Sequence, residues 1–425
     1  MTLRYDPTQR GILSLKSIGN DVVKNRKKPY PTSRDVEANI RNVVRRTIAK
    51  YKPEGISVAL SSGVDSNVIL SLIRDEFPKL EINCVTVSFD ESTEAHAAKK
   101  IAENNSSNFH NVVVENPLRE LPYLISLVKE PRWNIYQYYF IEKSAHFSNV
   151  LFTGDGGDEL FGGYIFRYEK FLASYSVNLT WQDRTRHYLE CHERDWVPDQ
   201  DEIFGVRLHF DWDSIYSLLR PYFDNDLDPL DQVFMADYHG KLMYDFVPTN
   251  KKFFDHFNLI GIAPLLEKSI IDMSFKMPPS LKYDHVAKKG KIPLRKIIAN
   301  HDIDRVSDAK IGFGMDLKAL WIRVAKEMVT SNLDKARIFE DKLIKKDFYD
   351  RSLKRIDDTL DVRYISKLLH LLSLEIWYKM FVTFEISSKS SLEDKLSSSS
   401  NIDFEFVSSA VIGLHQCLQF QLAKL

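Results

Sequence analysis

The sequence predicts an α/β protein, a doubly wound parallel sheet followed by a mostly helical C-terminal part. Short apolar runs rich in β-branched residues recur at Ile56–Leu60, Ile82–Phe89, Val112–Val114 and Val150–Thr153. Between them lie segments whose apolar residues fall at helical spacing. Two of the runs, Ile56–Leu60 and Val150–Thr153, lead straight into loops dense in small and acidic residues. Continuous apolar runs suit strands buried on both faces, and loops at strand C-terminal ends are where such sheets hold ligands.

Composition narrows the function classes. A length of 425 residues favours two domains over one, and 44% hydrophobic with 28% charged residues is a globular balance. The net charge of -1 supplies no basic excess, which argues against nucleic acid as a main partner. Cys84, Cys191 and Cys417 lie far apart with no C-x-x-C, so neither a zinc knuckle nor a disulfide framework is supported. No N-terminal apolar segment reads as a signal peptide and no apolar run reaches the ~18 residues of a membrane span. A reducing, cytoplasmic setting is expected, and the N-x-[ST] matches at Asn104, Asn105 and Asn178 are then chance.

Taken in order, residues 1–32 form a polar, irregular extension. Ser33–Lys50 carries Val36, Ile40, Val43, Val44 and Ile48 on one helical stripe, with Ser33 placed as N-cap. The strand Ile56–Leu60 runs into Ser61-Ser62-Gly63-Val64-Asp65-Ser66, and a helix opens at about Ser66. Strand, small-residue turn and helix N-terminus form a geometry that binds phosphate, because free N–H groups and the helix dipole face one point. No Lys follows the glycine, so this is not the G-x-x-x-x-G-K-[ST] loop. Asp65 is odd in an electropositive site unless a divalent cation sits between it and the phosphates. The plain alternative is a serine-rich turn capping an ordinary helix.

A helix over Ser92–Asn104 follows the second strand, and one over Leu118–Lys129 follows the third. The fourth strand enters Gly154–Tyr164, with five glycines and three acids in eleven residues. A calcium-like Gly/Asp turn is one reading, but the D-x-[DN]-x-[DN]-G spacing fails. The other is a metal–nucleotide floor facing Asp65, favoured by two loops at the ends of strands of one sheet, each offering an Asp. From Ile165 onward a charged, aromatic surface helix and loop is expected at Trp181–Trp196, and amphipathic helices at Asp228–Phe246, Leu265–Phe275, Leu294–Asn300, Leu317–Val329 and Ile365–Phe384. Residues 385–425 read as a Ser-rich linker and a last helix near Ser408–Leu425.

Ser61–Ser66 stands close to S-G-G-x-D-S, and Gly154–Tyr164 reads G-D-G-G-D-E-L-F-G-G-Y. Together these loops resemble the synthetase domain of asparagine synthetases and their relatives, among them β-lactam synthetase, carbapenam synthetase and lasso-peptide cyclases. Further agreements are Asp90-Glu91-Ser92, Glu130-Pro131, Asp228-Pro229-Leu230-Asp231, Lys291-Ile292-Pro293-Leu294-Arg295, Lys310-Ile311-Gly312-Phe313-Gly314 and Leu374-Glu375-Ile376-Trp377. The resemblance covers about residues 33–384 and implies an ATP-pyrophosphatase fold of the adenine-nucleotide α-hydrolase kind. It implies an ATP- and Mg²⁺-dependent ligase in which a substrate carboxylate attacks the α-phosphate and an amine attacks the acyl-adenylate. On it, Ser61, Ser62, Gly63 and Ser66 would hold pyrophosphate, with Gly154, Asp155 and Gly156 opposite. Asp65 and Asp158 would hold Mg²⁺, Val87, Ser88 and Phe89 would lie against adenine, and Lys291 and Lys310 would neutralise phosphate charge.

Two departures bear on substrate. Thr2 stands where full asparagine synthetases carry a nucleophilic cysteine, and only some 30 residues precede the synthetase part. Nitrogen is therefore expected from solution, from the substrate, or from a partner such as a separate glutaminase or substrate-delivery protein. The family's L-E-x-R-x-P segment becomes Leu259-Ile260-Gly261-Ile262-Ala263-Pro264, and its K-x-D-R becomes Thr249-Asn250-Lys251-Lys252. Ile260 cannot accept a proton or pair with an ammonium, which argues against aspartate as substrate. It also leaves the general base unassigned, Glu267, Asp255 and His256 being nearby in sequence but better read as structural. Small-molecule or peptide carboxylates and amines in specialised metabolism, peptide or sugar-acid modification fit better than asparagine supply. Intramolecular lactam closure, a non-catalytic nucleotide-binding relative and an RNA-base-activating pyrophosphatase are the alternatives, the last opposed by the absence of a basic face.

Overall fold

The computed structural model describes Leu3 and residues 17–89, 93–192, 194–208, 210–300 and 315–392. Five strands, β1 (Gly55–Ala59), β2 (Glu81–Ser88), β3 (Asn108–Val113), β4 (Val150–Phe152) and β5 (Ile260–Ile262), form one parallel sheet in the order β3-β2-β1-β4-β5. Side chains alternate across it: Val150 and Phe152 enter one hydrophobic cluster and Leu151 the other. The winding reverses between β1 and β4, so the crevice beyond their C-terminal ends is the switch point where such folds bind ligands.

Helices α1 (Ser33–Tyr51), α2 (Val64–Glu76) and α3 (Thr93–Asn104) bury Val36, Ile40, Val68, Ile69, Ala98 and Ile101 on one face. On the other face, α4 (Leu121–Val128) and α5 (Gln137–Ala145) bury Leu124, Ile125, Tyr138 and Ile141. A short α6 (Gly157–Phe161) follows β4, and α7 (Val247–His256) precedes β5. Helix α8 (Ile292–Asn300) joins the α1 face, while α9 (Val362–Phe381), buried along nearly its whole length, anchors the opposite layer. Full burial of each such side chain contributes roughly 1.5–3 kcal/mol.

Several expectations shift by a residue or two, and a few change in kind. The cap of α1 is Thr32, not Ser33: the Asp35 N–H donates to Thr32 Oγ1 and the Thr32 N–H donates to Asp35 Oδ2 at 2.7 Å. Strand β3 starts at Asn108, four residues before the expected run. It is an edge strand whose polar Asn108 and His110 meet Asn83 of β2 through hydrogen bonds of 3.2 and 3.0 Å. Helix α5 and strand β5 carry no signal that the sequence reading caught; β5 is only three residues long. The helix expected over Asp228–Phe246 is α-helical at Pro229–Asp237, widens to π geometry over Tyr238–Phe246, and runs on into α7.

The N-terminal extension is not irregular throughout. Asn20–Lys24 is a helix, and Ile18 and Val23 are buried in the α1-side cluster. Arg26 forks onto Asp231 with two bonds of 2.6 Å and donates through Nε to Phe275 O at 2.8 Å. Ile386 and Leu392 are likewise buried. Residues 393–425, with Cys417 and the expected helix Ser408–Leu425, lie outside the described residues, as does the Asp90-Glu91-Ser92 segment. Among the described residues no helix is long and apolar enough to cross a membrane.

Removing one partner of a buried ion pair strands the other charge, at a cost of about 3–5 kcal/mol. Arg26→Ala should therefore lower unfolding stability in urea by about that amount, with Arg26→Lys between it and the parent because Lys cannot make the planar fork.

Candidate active site

Two loops face each other across the switch point. The first, Ser61–Gly63, leaves β1 and delivers α2, whose first turn carries Asp65. It is tied internally: Ser66 Oγ accepts the Ser61 N–H at 3.1 Å and donates to Ser61 O at 3.2 Å, while Ser61 Oγ accepts the Gly63 N–H at 3.1 Å. The Ser62 N–H and hydroxyl both donate to Glu94 of α3, at 2.8 and 2.6 Å. The N–H groups of Ser61, Ser62 and Gly63 and the hydroxyls of Ser62 and Ser66 are thus engaged within the protein in this state.

The second loop, Gly154–Asp158, leaves β4. Gly156 has a φ of 93° that L side chains rarely adopt. At Gly157 a Cβ would overlap the Asp65 carboxylate, and at Gly163 it would overlap the Asp158 carboxylate and the Lys291 stem. These two glycines are required by what lies on top of them. Thr153 Oγ1 and Asn250 Nδ2 of α7 both donate to Asp155 Oδ2 at 2.8 Å. Burial pushes the Asp155 carboxyl above its usual range, those two bonds opposing the shift.

Lys291 joins the loops. It has a left-handed φ of 57°, its N–H donates to Phe161 O at 2.9 Å, and its C=O accepts the Arg295 N–H, so it opens α8 with its side chain turned inward. Its ammonium lies 2.5 Å from Asp65 Oδ2 and 2.9 Å from Asp158 Oδ1, with the side chain only 6% exposed. Burial alone would lower this ammonium's pKa; Asp158 and Asp65 outweigh it and raise the value above that of free lysine.

Behind Asp158 lies a buried polar layer. Tyr164 donates to Glu159 at 2.6 Å, and the Arg167 guanidinium stacks 3.9 Å over the Tyr164 ring. Arg167 and Tyr188 donate to Asp237 at 2.9 and 2.8 Å. Burial first, and then Asp158, push the Glu159 carboxyl up to about 7.

The structure brings Asp65, Asp158 and Lys291 to one point and Asp155 beside them. Val87 and Ser88 are buried within the sheet, with Ser88 Oγ donating to Asn111 at 3.1 Å, whereas Phe89 is part-exposed and meets Tyr136 edge-on at 5.0 Å. Lys310 lies outside the described residues. Glu267 pairs with Arg46 at 3.1 Å, Asp255 with Lys251 at 2.7 Å, and His256 lies 3.3 Å from the Tyr123 hydroxyl, so all three have structural partners. Ile260 and Ile262 pack toward α1, and Gly261 is pressed against Phe254. Glu94 and Asn250 are the site residues that sequence reasoning missed. Asn250 sits in the segment where the K-x-D-R pattern breaks; Glu94 gave no signal beyond an acid in a helix's first turn.

Among the described residues no three His, Cys, Asp or Glu side chains converge as a protein-only metal cage. Asp65 and Asp158 nevertheless aim two hard oxygen donors at one positive charge, the Lys291 ammonium. That donor set fits Mg²⁺, which is usually held by one or two carboxylates with phosphate and water oxygens completing the octahedron.

The asparagine synthase family model matches residues 35–379. The asparagine synthetase [glutamine-hydrolyzing] 1 of Bacillus subtilis (strain 168) is 25% identical over 340 residues, covering 70% of this chain and 52% of that protein. The asparagine synthetase [glutamine-hydrolyzing] of Gallus gallus is 30% identical over 149 residues, covering 31% of this chain and 26% of that protein. The chain spans about half the length, or less, of the curated relatives it matches.

A carboxyl raised on folding holds its proton more tightly in the native state. Its stabilising contribution is complete below the ordinary value of 4.5 and is lost as pH climbs through about 7. Glu159→Gln should therefore show a flatter decline of melting temperature between pH 4.5 and about 7 than the parent, measured as a pH series on both proteins.

Proposed function

Since this chain belongs to the asparagine synthase family, we propose that it is an ATP- and Mg²⁺-dependent ligase that makes an amide bond through an acyl-adenylate. The observation that carries the reading is the Lys291 ammonium clasped by Asp65 and Asp158 at the sheet's switch point. A substrate carboxylate oxygen forms a bond to the α-phosphorus of ATP, and the bond from that phosphorus to the bridging oxygen breaks, releasing pyrophosphate. An amine nitrogen then bonds to the acyl carbon, the carbon–oxygen bond to AMP breaks, and the amine gives up a proton.

The residues divide this work. Asp65 and Asp158 would hold Mg²⁺, which supplies charge neutralisation for the triphosphate. Lys291 keeps a buried positive charge at the same point and neutralises the departing pyrophosphate. The Ser61–Ser66 loop and the first turn of α2 present backbone and hydroxyl donors to it. Lys310, by its K-x-G-F-G context, is a second cation for the same charge. Phe89, the part-exposed residue at the end of β2, lies against adenine. Asp155, beside Asp65 and hydrogen-bonded by Thr153 and Asn250, lies on the nucleotide side of the site with Gly154 and Gly156.

Apolar Ile260 and Ile262 in place of the family's Glu and Arg support a substrate larger or less polar than aspartate. Specialised-metabolite, peptide or sugar-acid amidation fits, as does ring closure within one molecule, with ammonia or amine drawn from solution or from a partner protein. The same substitutions favour a second reading, a silent nucleotide-binding homologue. The retained Asp65, Asp158 and Lys291 weigh against it.

Incubating the protein with ATP, Mg²⁺ and a panel of carboxylic acids and amines should yield AMP and pyrophosphate in an acid-dependent manner, with Asp65→Asn inactive. ADP and phosphate as products, or bound ATP with no turnover across the panel, would sink the ligase reading.

A further inference from the structure

The contact between Ser62 and Glu94 is a feature the proposed reaction leaves unused. The family's loop carries Gly at the second position, where this chain has Ser62. That hydroxyl and its own N–H form a two-pronged grip on one carboxylate: N–H to Glu94 Oε1 at 2.8 Å and Oγ–H to Glu94 Oε2 at 2.6 Å. Both residues are buried, at 6% and 7% exposure. A serine hydroxyl has one proton, so Ser62 in this state has no donor left for a phosphate. The flanking N–H groups of Ser61 and Gly63 end on neutral hydroxyl oxygens, from which a phosphate takes them readily. Ser62 alone of the three is held by an anion.

We propose that Glu94 is a latch on the pyrophosphate loop and a determinant of nucleotide affinity and selectivity. The inference rests on the reading above, in which this loop receives the polyphosphate of ATP. The phosphates obtain Ser62's two donors only by displacing the Glu94 carboxylate, an exchange of anion for anion with little net gain in hydrogen bonds. The freed carboxylate stays close by, carried on the first turn of α3. The exchange therefore favours a polyphosphate that brings its own divalent cation, and disfavours inorganic phosphate.

Calorimetric titration with Mg²⁺–ATP, Mg²⁺–pyrophosphate and inorganic phosphate tests this on the full chain, Glu94→Gln and Ser62→Gly, each checked for folding by thermal unfolding. Glutamine can still accept the Ser62 N–H, but its amide cannot also accept the hydroxyl proton. Glu94→Gln should bind Mg²⁺–ATP and Mg²⁺–pyrophosphate about tenfold more tightly, the worth of one charge-assisted hydrogen bond. It should also narrow the preference over inorganic phosphate. Ser62→Gly removes one prong of the latch and one donor to phosphate together, so its affinity should stay within about threefold of the parent's. Should Glu94→Gln not fold, Glu94→Ala, titrated in the same way, decides alone: tighter binding supports the latch, and equal or weaker binding overturns it. Equal binding by all three proteins would overturn the latch and leave the nucleotide reading standing. Absence of binding in all of them would overturn both.

Discussion

The site depends on one buried ammonium. Lys291 neutralises two carboxylates that arrive on separate loops, Asp65 after β1 and Asp158 after β4, and it does so from a third segment at the start of α8. Without a cation between them, two carboxylates converging on one point repel, and each is pushed toward its neutral form. The surrounding local rules follow from that demand. Gly157 and Gly163 lack side chains because the carboxylates and the lysine stem lie on the backbone there. The left-handed backbone of Lys291 turns the side chain inward just as the helix begins.

Much of this could be read before any fold was seen. Four of the five strands, the switch-point loops and their acids follow from short apolar runs and from glycines crowded beside acids, whereas Lys291 is reached only through the resemblance of Lys291–Arg295 to the family's K-x-x-L-R. The clasp itself could not, because it joins residues 226 positions apart and depends on how α8 is carried back to the sheet. Glu94 stayed hidden for a similar reason: an acid in a helix's first turn has an ordinary explanation in the helix dipole, and only packing of α3 reveals that its partner is Ser62. Strand β5 is too short to carry a period, and its place comes from pairing with β4. Helix α5, rich in tyrosine, has no polar face sharp enough to show a helical stripe, since Tyr138, Tyr139 and Ile141 are all buried.

The layer behind Asp158 shows what it takes to hold the clasp in place. Arg167, Asp237, Tyr164, Tyr188 and Glu159 are polar groups out of water, and each is costly there unless bonded. An apolar layer would be cheaper in stability, but it would not fix the direction of α6, a helix of five residues. Lys282 belongs to the same economy of buried charge. It is fully buried against the rings of Phe234 and Phe275, where desolvation draws its ammonium down to about 7.

The seam between β5 and α1 bears on how this scaffold can change allegiance. Ile262 lies beside Val43, Thr47 and Leu266, both isoleucines pack into the layer under α1, and the far side of the strand is closed by Phe254 against Gly261. Both isoleucines are only part-buried, and the pocket beside Ile262 also carries Arg46, Lys50 and Glu267, so an acid or guanidinium restored there would meet charges already in place. Moving this chain toward a polar substrate is therefore a matter of re-pairing the charges across a helix–strand seam, Arg46 and Glu267 included, as much as of replacing the two isoleucines.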